Sequence, residues 1–486
     1  MIKILVIGCG PHATHFYLPS LCKLSQKDSN IKIAGVLDLL PQKDFIMEEL
    51  ALRSIDVDTW FIHPFSGDKL SAEAEELLDR LVLDGTVNAV IISTDPLNHK
   101  SYALWALSRG LPILMDKPVT TSENAALDIK QAEKIQTDYE DLLKAYQKYA
   151  SSSCTPFVLC AHRRYHPGIL EVRNIIREVA IQTSCPVTNI RSMHADGQWR
   201  LPHEICTQQH HSYNQGYGKI SHSGFHFIDC VVEFWKEGFC SGKKADEISI
   251  YSSFLRPHGL LQQITLEDYE HIFGKEFRQV CTISEQDMRN TFERCGEVDA
   301  EINLELLSDK KTFSLASLSL IHNSYSQRSW LLPDRDLYKG NGRIKHEEHT
   351  INIGPFLNIQ VHSYQSKDKH SVCTTDDEAP GGNNHFEIFI FRNDRIIGGK
   401  KFEKIQLHDL PAARTFSSDS LFIQQIKERS IIEWIEAILS PKKESEMFSA
   451  FTDHSMSVAL MSGIYRSYCK KQAGMHPVET ISWRDE

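Results

Sequence analysis

The sequence predicts an α/β protein of two domains: an N-terminal, doubly wound parallel sheet with helices, followed by an α+β domain built on a large, mostly antiparallel, open-faced sheet. Three observations predict it. Up to residue 150 the chain alternates short apolar runs with amphipathic helical stretches; a Gly8-Cys9-Gly10 turn closes the first of those runs; and beyond residue 235 the apolar period changes to two.

The first run, Lys3 to Ile7, has Lys3 as its one basic residue and stops at the glycines with no small-residue cleavage site. It therefore reads as a strand and not as an export signal. A helix spanning a bilayer needs about 20 apolar residues, and no stretch sustains that without charges, so a soluble protein without a membrane partner is expected. The helical stretch "HATHFYLPSLCKL" comes next, then strands at "IKIAGVLD" and "VNAVIIST", the helix "HKSYALWALSRG", and the strand "PILMDKP". Strand, helix, strand with short connections gives parallel βαβ units covered on both faces. A charged, helix-favouring segment from Leu127 to Ala150 ends at the Ser-rich "SSSCTP", which places the domain boundary at 153/154, so that the domains are 1–153 and 154–486.

In the second part, "AEINLELL", "TFSLASLSLI", "HTINIGPFLNIQVHSY" and "HFEIFIFRNDRIIGG" alternate apolar and polar residues, as strands with one covered face do. The region from about 240 to 440 reads as strands joined by polar loops, of which 366–384 is the clearest. The stretch "FSAFTDHSMSVALMSGIYRSYCKK" reads as a helix with a Thr/Asp cap and a cationic end.

Composition narrows the function. A net charge of -11, with no basic cluster longer than two residues, disfavours nucleic acid and anionic membranes as partners. Twelve cysteines without a CxxC pair suit reduced thiols in a cytoplasm. The glycine turn follows a strand and opens a helix, the setting in which glycines let the backbone approach a pyrophosphate and the helix N-terminus supplies oriented N–H groups. Gly8, Gly10, Pro11, His12 and Ala13 are the candidate turn. Asp38, at the end of the next strand, can accept hydrogen bonds from a ribose diol and would repel a 2′-phosphate. The residues after it, Leu39, Leu40 and Pro41, bring no cation, so NAD is favoured over NADP.

Further along, "STDPLNHKSYALWALSRGLPILMDKPVTTSENAALDI" carries Thr94, His99, Gly110 and Asp116-Lys117-Pro118, and Arg163-Arg164-Tyr165-His166-Pro167 and "HSGFHFID" follow. This ordered set resembles the glucose-fructose oxidoreductase and inositol dehydrogenase family, Gfo/Idh/MocA, with His222 where the family usually has Asp. The resemblance implies a Rossmann domain and an NAD-dependent oxidoreductase acting on a secondary hydroxyl or ketone of a sugar, cyclitol or nucleotide sugar. It implies that Thr94, His99, Asp116 and Lys117 join the turn and Asp38 around the cofactor. Lys117, His226 and His222 become the catalytic candidates, and Lys117, Arg164, Tyr165, His222 and His226 the substrate contacts. Lys117, at the C-terminal edge of a strand, can stabilise alkoxide-like charge, and His226 can act as general base.

On a helix, His222, His226 and Asp229 share one stripe opposite Phe225, Ile228, Val232 and Trp235. A catalytically weak dinucleotide-binding regulatory protein of the same fold is the alternative function. His194, His203, His210, His211, His222 and His226 crowd together with Cys206 but lack regular ligand spacing, and no metal is expected. The doubly apolar "FEIFIF" strand, Phe386 to Phe391, suits burial between subunits of a homo-oligomer, a dimer or tetramer.

Overall fold

The computed structural model describes residues 1–65, 69–150, 155–332, 342–366, 377–416, 422–440 and 444–483, and they build two sheets. The first comprises β1 (Ile2–Ile7), β2 (Ile31–Leu39), β3 (Asp58–Ile62), β4 (Ala89–Ile92), β5 (Ile113–Met115) and β6 (Phe157–Leu159), all parallel, in the order β3-β2-β1-β4-β5-β6. β4, β5 and β6 are buried throughout, which is why they read as unbroken apolar runs. Strand order reverses between β1 and β4, and in such sheets the crevice beyond the C-terminal strand ends takes the ligand. The glycine turn after β1, Ser93-Thr94 after β4 and Asp116-Lys117 after β5 all fall on that edge.

The second sheet comprises β7 (Asn189–Ala195), β8 (Glu247–Leu255), β9 (Asp299–Ser308), β10 (Lys311–Ile321), β11 (Ile344–Ile353), β12 (Leu357–Ser366), β13 (Glu387–Arg392), β14 (Phe402–Gln406) and β15 (Glu479–Ser482). Its order is β14-β13-β12-β11-β7-β10-β9-β8-β15, antiparallel except for the parallel pair β7 and β10. The helices Pro167–Thr183, Phe225–Gly238 and Ser455–Gln472 cover one face, and the strict alternation of buried and exposed residues along β9 shows the other face open.

Four expectations are corrected in detail. Residues 257–292 are not strands: they form the helices Pro257–Gln263, Leu266–Phe273, Glu276–Val280 and Glu285–Phe292. Thr265 and Ser284 cap two of them by accepting backbone N–H bonds, and Tyr269, Phe277, Met288 and Phe292 give them a core of their own. "RNDRIIGG" does not continue its strand, which ends at Arg392 before the short helix Asp394–Ile397. The C-terminal helix gains no cap from Asp453, whose carboxylate is bound by Arg164 and Lys236. The helix Phe225–Gly238 is buried nearly all round, and its His222 stands in a preceding π-turn, Ile220–Gly224.

The expected domain boundary and most of the expected loop at 366–384 lie outside the described residues. The chain is less cleanly divided than a single boundary implies, because the helix Phe422–Leu439 returns to the first sheet. Its Ile431, Trp434 and Ile435 share a core with Ile4, Val6, Leu114 and Val158. The helix Ser455–Gln472 likewise packs on Ile129–Ala150, with Ser462 Oγ donating to the Ala132 carbonyl at 2.8 Å. Among the described residues no helix is long and apolar enough to cross a membrane.

Candidate active site

A cavity of 540 Å³ opens between the two sheets and is lined from both domains. At its first-domain end Gly8 has φ +89°, and a Cβ there would lie 2.5 Å from the Ser93 carbonyl oxygen. Only glycine lets the ends of β1 and β4 meet so closely. Gly8, Gly10, Pro11 and His12 line the cavity, while Ala13 is fully buried behind the turn. Asp38 is on the wall, its Oδ2 accepting from the Cys9 N–H and its Oδ1 from the Leu39 N–H, each at 2.6 Å. Burial raises its pKa, and those two N–H groups oppose the rise. A carboxylate offers about four acceptor positions, so room remains for a diol.

Thr94 also lines the cavity, but His99 does not. Its buried ring lies between the Pro118 carbonyl at 2.8 Å and the Thr94 carbonyl at 3.3 Å and braces the backbone that carries Lys117. The expectation of direct cofactor contact is thus corrected for His99 and Ala13, which support the wall from behind.

Asp116 accepts from Tyr17 Oη at 2.6 Å and from Ser93 Oγ at 2.7 Å. With His12 and Cys160 it forms, among the described residues, a group whose potential ligand atoms lie within 4.8 Å of one another. Both Asp116 oxygens already hold hydroxyl donors, and burial pushes the Cys160 thiol up, away from the thiolate a metal needs, so the group is not assigned to a metal. The histidines singled out in the sequence spread around the cavity: His194, His210, His211, His222 and His226 line it, and His203 does not.

Lys117 is half-buried and donates from Nζ to the His222 carbonyl at 2.6 Å. Burial pulls its pKa down to about 8, with Asp116 acting against the fall. His222 and His226 both face the same cavity. The His226 ring meets His162 edge-on at 4.0 Å, and His222 stacks on His211 at 4.8 Å with Tyr213 and Tyr217 at its edges. Burial and then the Lys117 charge hold both imidazoles neutral, and among the described residues His226 Nδ1 and His222 Nε2 have no hydrogen-bond partner. A neutral imidazole beside an ammonium is the arrangement that can accept a hydroxyl proton while the cation stabilises the oxygen left behind.

Arg164 and Tyr165 are corrected as substrate contacts. Arg164 is 1% exposed and lies off the cavity, bonded to Asp229 at 2.7 and 2.8 Å and ion-paired with Glu233 and Asp453. Tyr165 donates to Glu433. The neighbouring Arg163 is the one that reaches the wall, with Nη2 bonded to Glu347 and its guanidinium 5.4 Å from the Phe227 ring centroid. In the short 3-10 turn His162–Tyr165 adjacent residues point in different directions, so the sequence could not tell the two arginines apart.

Sequence reasoning also missed a polar cluster at the second-sheet end. Lys219 Nζ donates to Asp196 and to Ser223 Oγ at 2.8 Å and lies 2.9 Å from His194 Nδ1, while His322 stands 3.5 Å from Asp196. The spacing Lys219, Ser223, His226 along "GKISHSGFH" was the available signal, since it places these residues on one face of the turn and helix. Ser221, also on the wall, opens a buried chain of hydroxyls: its Oγ lies 3.0 Å from Thr121 Oγ1 and 2.9 Å from Tyr465 Oη, which donates to Glu297 Oε1 at 2.9 Å. Burial pushes Glu297 up to about 7.

A six-stranded Rossmann sheet joined to an open, mostly antiparallel sheet, with a cavity between them, defines a two-domain nucleotide-binding architecture. Residues 2–139 match the Gfo/Idh/MocA model described as an oxidoreductase family with an NAD-binding Rossmann fold. Inositol 2-dehydrogenase of Arthrobacter sp. (strain FB24) is 31% identical over 134 residues, 27% of this chain and 33% of that protein. The match thus spans a third of the relative's length. Two solved structures share the fold end to end. One is an NAD binding oxidoreductase from Klebsiella pneumoniae, with TM-score 0.59, 10% identity and 100% of both chains covered. The other is an aldose-aldose oxidoreductase from Caulobacter crescentus, with TM-score 0.55, 11% identity and 99% of both chains covered.

Proposed function

We propose that this protein is an NAD-dependent oxidoreductase acting on a secondary hydroxyl, or the corresponding ketone, of a small polyhydroxy compound. One observation carries the reading: a single cavity is lined both by the glycine turn and Asp38 and by Lys117, His222 and His226. The residues present fit the dinucleotide. Gly8 permits the tight turn, Asp38 keeps acceptor capacity that would hold a ribose diol, and Asp116-Lys117 shares the C-terminal strand edge with the turn and would flank the nicotinamide. Bound there, NAD supplies a hydride acceptor.

The chain's own work is to hold and move charge. Lys117 keeps one N–H on the His222 carbonyl and offers its others to the substrate oxygen. His226, held neutral, accepts the hydroxyl proton in oxidation and returns it in reduction. His222, neutral where the family has an anion, leaves the Lys117 charge uncompensated on that side, which strengthens its pull on an alkoxide. The meeting of Lys117 and His226 in one cavity favours an enzyme over a binding module.

The test is calorimetric titration with NAD(H) and NADP(H), followed by nicotinamide absorbance with a panel of sugars and cyclitols. Tighter binding of NAD(H), a preference narrowed by Asp38→Ser, and turnover with at least one polyol are expected. Equal affinities would overturn the cofactor assignment. Binding without turnover across the panel would favour the regulatory reading.

A further inference from the structure

The wall formed by the second sheet carries more fixed positive charge than hydride transfer at a hydroxyl requires. The inner face of β11 is apolar at Ile351 and Ile353, passes through the buried His349 and Glu347, and continues to Lys345 and Arg343 where the covering helix gives way to the cavity. Gly197, at φ +60°, makes this closure possible, since a Cβ there would overlap the Ile344 carbonyl. Arg163, Arg200 and Lys219 complete a wall of five basic side chains, among which Lys345 is held well below its ordinary pKa by burial and the Arg163 charge and gains its proton most readily beside an anion. Asp196 on the wall and Glu347 behind it answer them in direct ion pairs, and Asp299 and Glu204 act on Lys219 and Arg200 from farther off.

Their pairing leaves a surplus. Asp196 is shared by Lys219 and by Arg343, the latter at 3.3 Å, and Glu347 is bonded to Arg163. Lys345 comes no nearer than 3.9 Å to Glu347. Arg200 is 4% exposed, and among the described residues its guanidinium makes one bond, from Nη2 to the neutral Gln198 Oε1 at 2.9 Å, while Nε and Nη1 have no partner there. Buried arginine donors without an acceptor are costly, and native sites seldom keep them without a ligand. Burial lowers Arg200 only to about 10, so it stays charged at neutral pH.

We propose that the substrate carries an anionic group, a carboxylate or a phosphate, held at the second-sheet end of the cavity by Arg200, Arg343 and Lys345 while its hydroxyl faces Lys117 and His226. The placement of the hydroxyl rests on the oxidoreductase reading; the anion site stands on the charge of the wall. The cofactor's own phosphates do not account for it, because the turn that would hold them belongs to the first sheet, across the cavity from β11.

The experiment is calorimetric titration of the NAD⁺-loaded protein with pairs that differ in the anion: glucose against glucuronate, and myo-inositol against myo-inositol 1-phosphate. At least one acid should bind about tenfold or more tightly than its neutral parent, as charge-assisted bonds do, and the pair that responds tells carboxylate from phosphate. Added salt should shrink the ratio. Lys345→Gln and Arg200→Gln should each shrink it severalfold while NAD⁺ affinity holds. Lys345 stands at the cavity wall, so its variant carries the test where the buried Arg200 variant does not fold. Neutral parents that bind as tightly as the acids in both pairs, or a folded Lys345→Gln protein with the wild-type ratio, would overturn the proposal. An acid that binds selectively but never changes nicotinamide absorbance would sink the oxidoreductase reading and leave the anion site standing. Turnover of neutral polyols without any anion preference would do the reverse.

Discussion

At the residue scale, the pair Lys117 and His226 makes a prediction that separates chemistry from binding. Lys117→Met should lower turnover by about 100-fold or more, the usual weight of a charge-stabilising or proton-transferring group, with NAD affinity nearly unchanged. The pH profile supplies a second readout. With its pKa near 8, Lys117 loses its charge as pH rises through that value, so wild-type turnover should have an alkaline limb there, and the variant should lack it. The Lys117 charge is also the leading electrostatic cause, after burial, of the depressed His226 pKa. Removing it should let that pKa rise and carry the acid limb to higher pH. An acid limb that does not move would separate the two side chains.

At the element scale, Arg164 fastens three pieces of chain. It belongs to the turn His162–Tyr165 and binds Asp229 and Glu233 of the helix Phe225–Gly238 and Asp453 ahead of the C-terminal helix. Removing one partner from a buried charge network costs about 3–5 kcal/mol, because the remaining charges are left uncompensated. Arg164→Met should therefore destabilise the protein by that order in denaturant unfolding, with little change in KM at temperatures where it stays folded. Arg163→Met should also cost stability, because it strands the buried Glu347, but unlike the Arg164 variant it should weaken substrate affinity as well. Wild-type stability in the Arg164 variant would return this residue to the substrate site.

The same elements show what the sequence could and could not say. β1, β2, β4 and β5 were legible because parallel strands buried on both faces leave continuous apolar runs, and β9 to β13 because a half-open sheet imposes a period of two; β3, an edge strand that is only partly buried, leaves no such run and was not legible. The helices between Pro257 and Phe292 were not, since each is too short to establish a helical period and only the caps at Thr265 and Ser284 mark them. Around the cavity, the turn and Asp38 were legible from their strand–turn–helix setting, and Lys117 and His226 only through the resemblance. Lys219, Asp196, Arg200, Arg343 and Lys345 were not, because they reach the cavity from segments far apart in the chain and meet only once the second sheet is assembled.

At the scale of the whole molecule, charge buried or refused during folding sets the response to pH. His162, His194, His211, His222 and His226 are all held well below their ordinary pKa, chiefly by burial, and His322 is pulled to about 4. Below about pH 6.5 the unfolded chain takes up protons at these positions that the fold refuses, so stability falls as pH falls. Glu297, Asp299, Asp38 and Glu171 work the other way, since burial raises their folded pKa, but the histidines, joined by His99, His166 and His454, outnumber them. The thermal midpoint should therefore drop steeply between pH 7 and 5, and a flat midpoint across that range would contradict the buried neutral state of these rings.

The open face makes a separate prediction. Its Phe389 carries the Lys404 ammonium 5.7 Å from the ring centroid, and Phe391 and Phe402 are exposed beside it. If subunits pair there, the protein should sediment as a dimer or larger and Phe389→Lys should yield monomers. A wild-type monomer at micromolar concentration would rule that interface out.

The hydroxyl chain from Ser221 through Tyr465 to Glu297 has a thermochemical consequence. Burial lifts Glu297 to about 7, and the chain joins that carboxyl, at the threshold of β9, to a hydroxyl on the cavity wall. A ligand that reorients Ser221 alters the terminal acceptor's hold on its proton, so binding exchanges protons with the solvent. Heats of binding measured in phosphate and in Tris, whose ionisation enthalpies differ, should diverge near pH 7 and agree in Glu297→Gln. Identical heats in both buffers for the wild type would show that the C-terminal helix, through Tyr465, is only a structural neighbour of the cavity.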